Sequence, residues 1–259
     1  VSTTQTALTV RHPITVGSPE FRADSHGHYA WLRANAPVYR GRLAYLTERD
    51  VWLVSRYEDC KALLRDPRFP RSPGGGGSAM AAELPEHLRL LSAASMLMKD
   101  GEEHKRLRKL VAKPFTVRAI EHLADRVREL AGRLLDELEP RGRVDLKKEF
   151  ALPIPLTVIS EMVGVDEAEK RRFHRGAQVA VGETERIGED RWTAEITALI
   201  DFVRELVERH RGDPRDNILT GLIRAEEEGD RLSDDELVTM VLTLVTAGYE
   251  TTYHLISNA

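Results

Sequence analysis

Apolar residues recur at helical spacing along most of this chain, and the clearest helix lies near its end. Ser233 followed by Glu236 forms a capping-box pattern, with Asp234 and Asp235 placing negative charge where a helix N-terminus favours it. From Leu237 to Tyr249 no residue is charged, and Leu, Val, Met and Thr fall on every face. That pattern predicts a central helix buried all round. A second long stripe, Ile120, Leu123, Val127, Leu130, Leu134 and Leu138, predicts an amphipathic scaffold helix from Thr116 to about Pro140. A short helix is expected at 29–35, and another from a Ser55/Glu58 capping box, with Cys60, Leu63 and Leu64 on one side. Further helices are expected after Pro153 and Pro155, at 166–185, at 189–211 and from Asp213 to Glu228. Only the stretch from Val38 to Val54 has strand chemistry, and residues 1–24 read as an extended arm. The fold class predicted is mainly α with one small N-terminal sheet, in a single domain spanning residues 1–259.

The central helix breaks local rules in its second half. Ala247-Gly248-Tyr249-Glu250-Thr251-Thr252 combines a helix-weakening glycine, a carboxylate in an apolar run and adjacent β-branched residues. Such clusters mark places where function outranks stability. By spacing, Met240, Leu244, Ala247, Gly248, Thr251 and Leu255 share a face, so small residues and a hydroxyl form a notch in a bulky stripe. Either a ligand sits against that notch, or a neighbouring helix packs on Gly248 while Thr251 returns its hydroxyl to the carbonyl four residues back.

Composition narrows the classes. Hydrophobic residues make up 41% of the 259, enough for a substantial core, and the formal net charge of −4 gives no bulk attraction for nucleic acid or a membrane surface. The first residues lack the apolar core of a signal peptide, and the uncharged run of the central helix is too short to cross a bilayer. A cytoplasmic location is the default expectation. A single cysteine, Cys60, excludes an internal disulfide framework and a multi-thiolate zinc site. His26 and His28 lack neighbouring carboxylates and read as surface residues, and Gly74 to Gly77 lack the Lys-Ser/Thr ending of a phosphate loop.

Two stretches carry candidate chemistry besides the notch. Ser95-Met96-Leu97-Met98 closes a loose region and is apolar enough to be a lid or a small satellite core. In the helix opened by Asp100 and Glu103, His104 and Arg108 share a face with Ala112 and Phe115, whereas Lys105, Arg106 and Lys109 read as a solvated charged face.

The segment AGYETT, the longer run GDRLSDDELVTMVLTLVTAGYETT and the helix around His104-Lys105-Arg106-Leu107-Arg108 resemble the cytochrome P-450 family of haem-thiolate monooxygenases. Lys105 stands where the family's pattern has Thr. The resemblance implies a cytochrome P-450-like helical fold and insertion of one oxygen atom from O2 into a small apolar molecule. It implies a b-type haem with a cysteine thiolate ligand, and electrons from a ferredoxin-type or flavin partner, with neither nucleic acid nor membrane as partner. On it, His104 and Arg108 bind haem propionates and Ala247 and Gly248 flank the haem. Thr251 hydrogen-bonds the dioxygen being activated and Glu250 relays protons as catalytic residues. Met96, Leu97, Met98 and Leu244 border the substrate, and the helices at 166–185 and 189–211 roof the pocket.

Cys60 lies in the wrong region to be the family's ligand and reads as a small packed hydrophobe. The family's Glu-x-x-Arg pair, its Phe- and Gly-containing haem loop and its cysteine are expected beyond Ala259. No metal ligand is expected in these residues, which read as the N-terminal part of a longer protein. The competing reading is a non-enzymatic helical binding module.

Overall fold

The computed structural model describes residues 12–44, 50–71, 88–181, 188–227 and 229–259. The chain divides into two units, Val1–Pro70 and Arg71–Ala259. In the first, the β-forming run becomes β2 (Val38–Leu43) and β3 (Asp50–Val54), antiparallel with Val38 opposite Val54 and Arg42 opposite Asp50. A strand that alternation did not predict, β1 (Thr15–Val16), adds in parallel on the other side of β2. Gly41 admits it: a Cβ there would come within 2.7 Å of the Ile14 carbonyl oxygen. The helices α1 (Pro19–Ala23) and α2 (Ser25–Asn35) are capped by Ser18 and Asp24 and cover a core of Ile14, Phe21 and Leu32.

Three sequence expectations change in this unit. His26 is exposed, but His28 is buried, with Nδ1 2.7 Å from the Asp24 carbonyl oxygen and its ring against Phe21. The Ser55/Glu58 box does not form. Ser55 instead donates its hydroxyl to the Pro37 carbonyl at 3.3 Å, and α3 (Tyr57–Leu63) starts after Arg56 without a side-chain cap. Cys60 is half-buried with Sγ donating to the Val54 carbonyl, while Leu64 is exposed.

The second unit is helical. It runs α4 (Leu90–Ala93), a 3-10 turn at Met96–Met98, α5 (Gly101–Ala112) and α6 (Val117–Leu138). A π turn at Lys147–Ala151 leads into α7 (Pro153–Met162), whose first-turn prolines need no intrahelical amide partners. Then follow α8 (Lys170–Ala180), α9 (Glu189–Gly212), α10 (Ile218–Arg224), a ribbon of β4 (Glu226–Glu227) with β5 (Asp230–Arg231), and α11 (Asp234–Asn258). The helix expected from Asp213 to Glu228 is shorter because Asn217 caps it at Thr220 and Ala225 is already extended. The tetraglycine and the joint at 182–187 lie outside the described residues.

The predicted capping box of α11 is complete in both directions. Its first half is buried nearly all round, through Leu237, Val238, Met240, Val241 and Val245, against α7, α8, α9 and α10. Each such side chain removed from water contributes roughly 1.5–3 kcal/mol. The hydroxyls of this apolar helix turn back on its own carbonyls: Thr239 on Asp235, Thr243 on Thr239, Thr246 on Leu242 and Thr251 on Ala247. No helix among the described residues is long and apolar enough to cross a membrane.

Candidate functional site

The site begins with how α11 leaves the core. From Ala247 onward, Ala247, Glu250, Thr251, His254, Leu255 and Asn258 are all exposed at i, i+3, i+4 spacing, Leu255 at 71%. Beside this open stripe, Met240, Thr243, Leu244, Ala247, Gly248, Thr252 and Ile256 line a cavity of about 820 Å³. Ala247 belongs to both faces. Gly248 is in close helix contact: a Cβ on it would lie 3.0 Å from Ile159 Cδ1 of α7. The helix-packing account of the notch therefore holds on the α7 side, and a small residue at 247 keeps the opposite edge open.

The other walls come from α5, α6, α7 and the 3-10 turn. Ser95, buried, caps that turn through the Leu97 amide at 3.3 Å, and the Thr239 hydroxyl ties the preceding Ala94 carbonyl to α11 at 3.2 Å. This fixes Met96 and Leu97 in the lining; Met98 is outside it. On α5, the buried Leu107, Leu110 and Val111 anchor the helix, and Arg108, Ala112 and then Phe115 reach the cavity as their shared face predicts. No hydrogen bond or ion pair engages the Arg108 or His104 side chain among the described residues. His104 lies one turn before Arg108, half-buried and outside the lining.

Of the ten predicted site residues, the cavity thus gathers Arg108, Ala247, Gly248, Leu244, Met96 and Leu97. Glu250 and Thr251 stand on the exposed stripe, and Thr252 takes the lining position instead. The reason is helical phase. Gly248, Thr252 and Ile256 continue one row at i+4, whereas Thr251 and Leu255 continue the row of Ala247. Glu250 is not the buried carboxylate that the apolar run implied. The expected roof is also absent from the lining: among the described residues no side chain of α8 or α9 borders the cavity, because these helices bury Phe173, Phe202 and Leu206 in the core.

Sequence reasoning missed three polar anchors. Arg106, read as solvated, makes ion pairs with Asp230 at 3.1 Å and with Glu236. Arg126 of α6 grips Glu161 of α7 with two bonds of 2.7 Å, which holds the Glu161 carboxyl below the usual carboxylate range. The Ser160 hydroxyl, buried, lies 2.8 Å from His174 Nε2, and burial, followed by the Lys170 charge, lowers the His174 pKa. A three-residue repeat of acids and bases carried the only signal for Arg106, and that pattern is shared by any solvated helix.

The chemistry of the cavity fits an amphiphilic planar group such as haem at its rim. One guanidinium, without a partner among the described residues, suits a propionate, and the remaining walls are almost wholly apolar. Among the described residues its lining holds no cysteine. No group of three or more potential metal-binding side chains occurs among the described residues, and the thiol of Cys60 belongs to the first unit.

A scan against family models matches none. Individual proteins do match. Cytochrome P450 107B1 of Saccharopolyspora erythraea is 40% identical over 243 residues, covering 92% of this chain and 58% of the relative. The 6-deoxyerythronolide B hydroxylase of the same organism is 38% identical over 247 residues, 92% of this chain and 60% of that protein. The vitamin D(3) 25-hydroxylase of Pseudonocardia autotrophica is 37% identical over 258 residues, with coverages of 98% and 60%. Among solved structures, the Bacillus subtilis bacillaene polyketide synthase cytochrome P450 PksS superposes with a TM-score of 0.81 at 32% identity, covering 92% of this chain and 58% of that one. The LnmA cytochrome P450 hydroxylase of Streptomyces atroolivaceus gives 0.76 at 31%, with coverages of 90% and 57%. The chain spans about three-fifths of the length of these relatives. Its helical fold, its AGYETT helix and its likeness over nine-tenths of its own residues agree: the chain is similar throughout to bacterial cytochrome P450s.

Proposed function

We propose that the protein carrying these residues is a haem-thiolate monooxygenase that inserts one atom of O2 into a small apolar molecule, by hydroxylation or epoxidation of a secondary metabolite. The observation that carries this reading is the guanidinium of Arg108, free of any partner among the described residues, on the wall of an apolar cavity whose far side is the Ala247-Gly248 segment. When bound, a b-type haem would supply the reductive activation of dioxygen, with its cysteine ligand beyond Ala259. Electrons would come from a ferredoxin-type or flavin partner in the cytoplasm.

The residues of this chain have narrower tasks. Arg108 and His104 hold the propionates by charge-assisted hydrogen bonds. Met96, Leu97 and Leu244 present an apolar surface that orients substrate and excludes water. Ala247 leaves room at the helix edge, and the Thr251 hydroxyl, now on the Ala247 carbonyl, redirects its proton toward the cavity rim. Glu250, one residue away and in contact with solvent, resupplies that proton. Relatives named hydroxylases weigh against a non-enzymatic helical module.

Haem retention in the full-length protein tests the assignment. Replacing His104 and Arg108 together by Ala removes charge-assisted bonds worth about 1.5–3 kcal/mol each and should speed haem transfer to an acceptor protein by at least about tenfold. Lys105→Ala with Lys109→Ala should leave it near wild type, since Lys105 is exposed and paired with Glu102. Equal loss from the two double variants refutes the propionate site.

A further inference from the structure

The N-terminus of α11 is held by three arginines, and one of them comes from the helix that carries Arg108. Asp234 pairs with Arg211, and Asp235 lies 3.7 Å from Arg204; both arginines are on α9. Glu236 pairs with Arg106 of α5, whose other terminal nitrogen meets Asp230 of β5 at 3.1 Å. Glu236 is the least exposed of these acids, at 13% for its side chain, against 75% and 58% for Asp234 and Asp235. Its two oxygens are divided between two tasks: Oε2 accepts the Ser233 amide at 2.8 Å and completes the capping box, while Oε1 takes the Arg106 guanidinium.

We infer that Arg106 is a positioning residue: through Glu236 and Asp230 it locks α5 to the start of α11, so that Arg108 and the Ala247-Gly248 segment are held across one cavity at a fixed separation. The buried Leu107, Leu110 and Val111 seat α5 against the core from within. To that packing, a planar fork between two carboxylates adds a directional constraint on both the position and the rotation of the helix. Arg106 and Arg108 are two residues apart and therefore on opposite sides of α5. The fork faces the capped end of α11, and the free guanidinium faces the cavity. A lysine at 106 would meet one carboxylate at a time and lose the rotational lock.

This inference rests on Arg108 holding a haem propionate, and the test separates the two claims. Haem transfer from the full-length holoprotein is measured for Arg106→Ala, Arg108→Ala, the double variant and Arg211→Ala. Amide exchange at Glu236 and Leu237 is followed in the same proteins. If Arg106 acts by positioning Arg108, Arg106→Ala speeds haem transfer roughly tenfold in the wild-type background but less than about twofold once Arg108 is gone. Arg106→Lys should fall between. Arg211→Ala should speed exchange at the α11 start, as Arg106→Ala does, without speeding haem transfer. The inference is overturned by an equal factor from Arg106→Ala in both backgrounds, or by haem loss from Arg211→Ala matching that from Arg106→Ala. No effect of Arg108→Ala on haem would instead refute the propionate site, and the lock would then serve only the helix, which exchange at Glu236 would report. If Arg106→Ala does not fold, the same comparison is made with Asp230→Asn and Arg106→Lys, and unchanged haem transfer in both overturns the inference.

Discussion

Gly248 sits where helix propensity and packing oppose each other, so its replacement by Ala has a magnitude that can be worked out. An Ala in a helix interior is more favourable than Gly by about 0.8–1.0 kcal/mol. Against this, the new Cβ would stand 3.0 Å from Ile159 Cδ1, while Ile159 Cγ1 at 3.6 Å is an ordinary neighbour. Only the terminal methyl has to move. Ile159 is buried but borders the cavity, so its Cδ1 can turn about χ2 at a cost of about 0.5–1.5 kcal/mol. The two effects nearly cancel, and Gly248→Ala should change stability by less than about 0.7 kcal/mol in either direction. In an Ile159→Val background the clashing methyl is absent and the propensity gain is realised, so the same substitution should stabilise by about 1 kcal/mol. Ile159→Val alone should cost about 0.5–1.5 kcal/mol. Urea denaturation of the four proteins gives the coupling directly, expected at about 0.5–1.5 kcal/mol. A coupling indistinguishable from zero would show that Gly248 and Ile159 do not meet as described. A loss above about 2 kcal/mol from Gly248→Ala alone would show that Ile159 cannot give way.

Three further outcomes are expected. Thr251→Ala in the full-length protein should divert reducing equivalents into hydrogen peroxide while substrate binding persists, and Thr252→Ala should mainly lower stability; coupled turnover in Thr251→Ala with uncoupling in Thr252→Ala would assign the hydroxyl to the cavity row instead. Stability should fall as the pH drops below the ordinary imidazole value, because burial keeps folded His174 neutral while the unfolded chain takes up the proton, and His174→Asn should flatten that dependence in pH-resolved melting. Arg126→Met should cost about 1–2 kcal/mol at neutral pH after allowance for partial exposure. That gap should close in acid, since the lowered Glu161 carboxyl stabilises the fold above its usual range and loses its charge as the pH falls through its folded value; a gap constant with pH would mean the ion pair contributes nothing.

The parts of the fold that were legible in sequence are those fixed by short-range chemistry. The start of α11 was visible because both halves of its capping box lie within four residues, and α6 because its stripe repeats for five turns. Spacing alone assigns His104, Arg108, Ala112 and Phe115 to one face; the last three line the cavity and His104 does not. What escaped depends on distant partners. Ser55 had the correct spacing for a cap, but the Pro37 carbonyl, 18 residues away, took its hydroxyl. His28 gave no local sign of burial, and the two-residue strands β1, β4 and β5 are too short for alternation to show. Arg106 looked like its charged neighbours because its carboxylates are 124 and 130 residues further on. At the notch, spacing put Thr251 and Gly248 on one face. The choice between adjacent rows of a helix turns on about 100° per residue, and only the position of α7 settles which row faces inward.

The threonines of α11 have a consequence for how polar species move beside an apolar helix. Each hydroxyl bonds a carbonyl that already accepts an amide of the helix, so the carbonyl uses its second lone pair and loses nothing essential when the hydroxyl swings away. Turning one hydroxyl outward then forfeits a single weak bond, about 0.5–1.5 kcal/mol, and orphans no buried backbone group. Thr243 and Thr251 thus act as rotors, parked in a satisfied state and releasable one at a time by a passing donor or acceptor, whereas the buried Thr239 is held by its further bond to the Ala94 carbonyl. A valine at any of these positions would preserve shape and packing yet freeze that step, turning a helix with graded, reversible polarity into a plain hydrophobic rod.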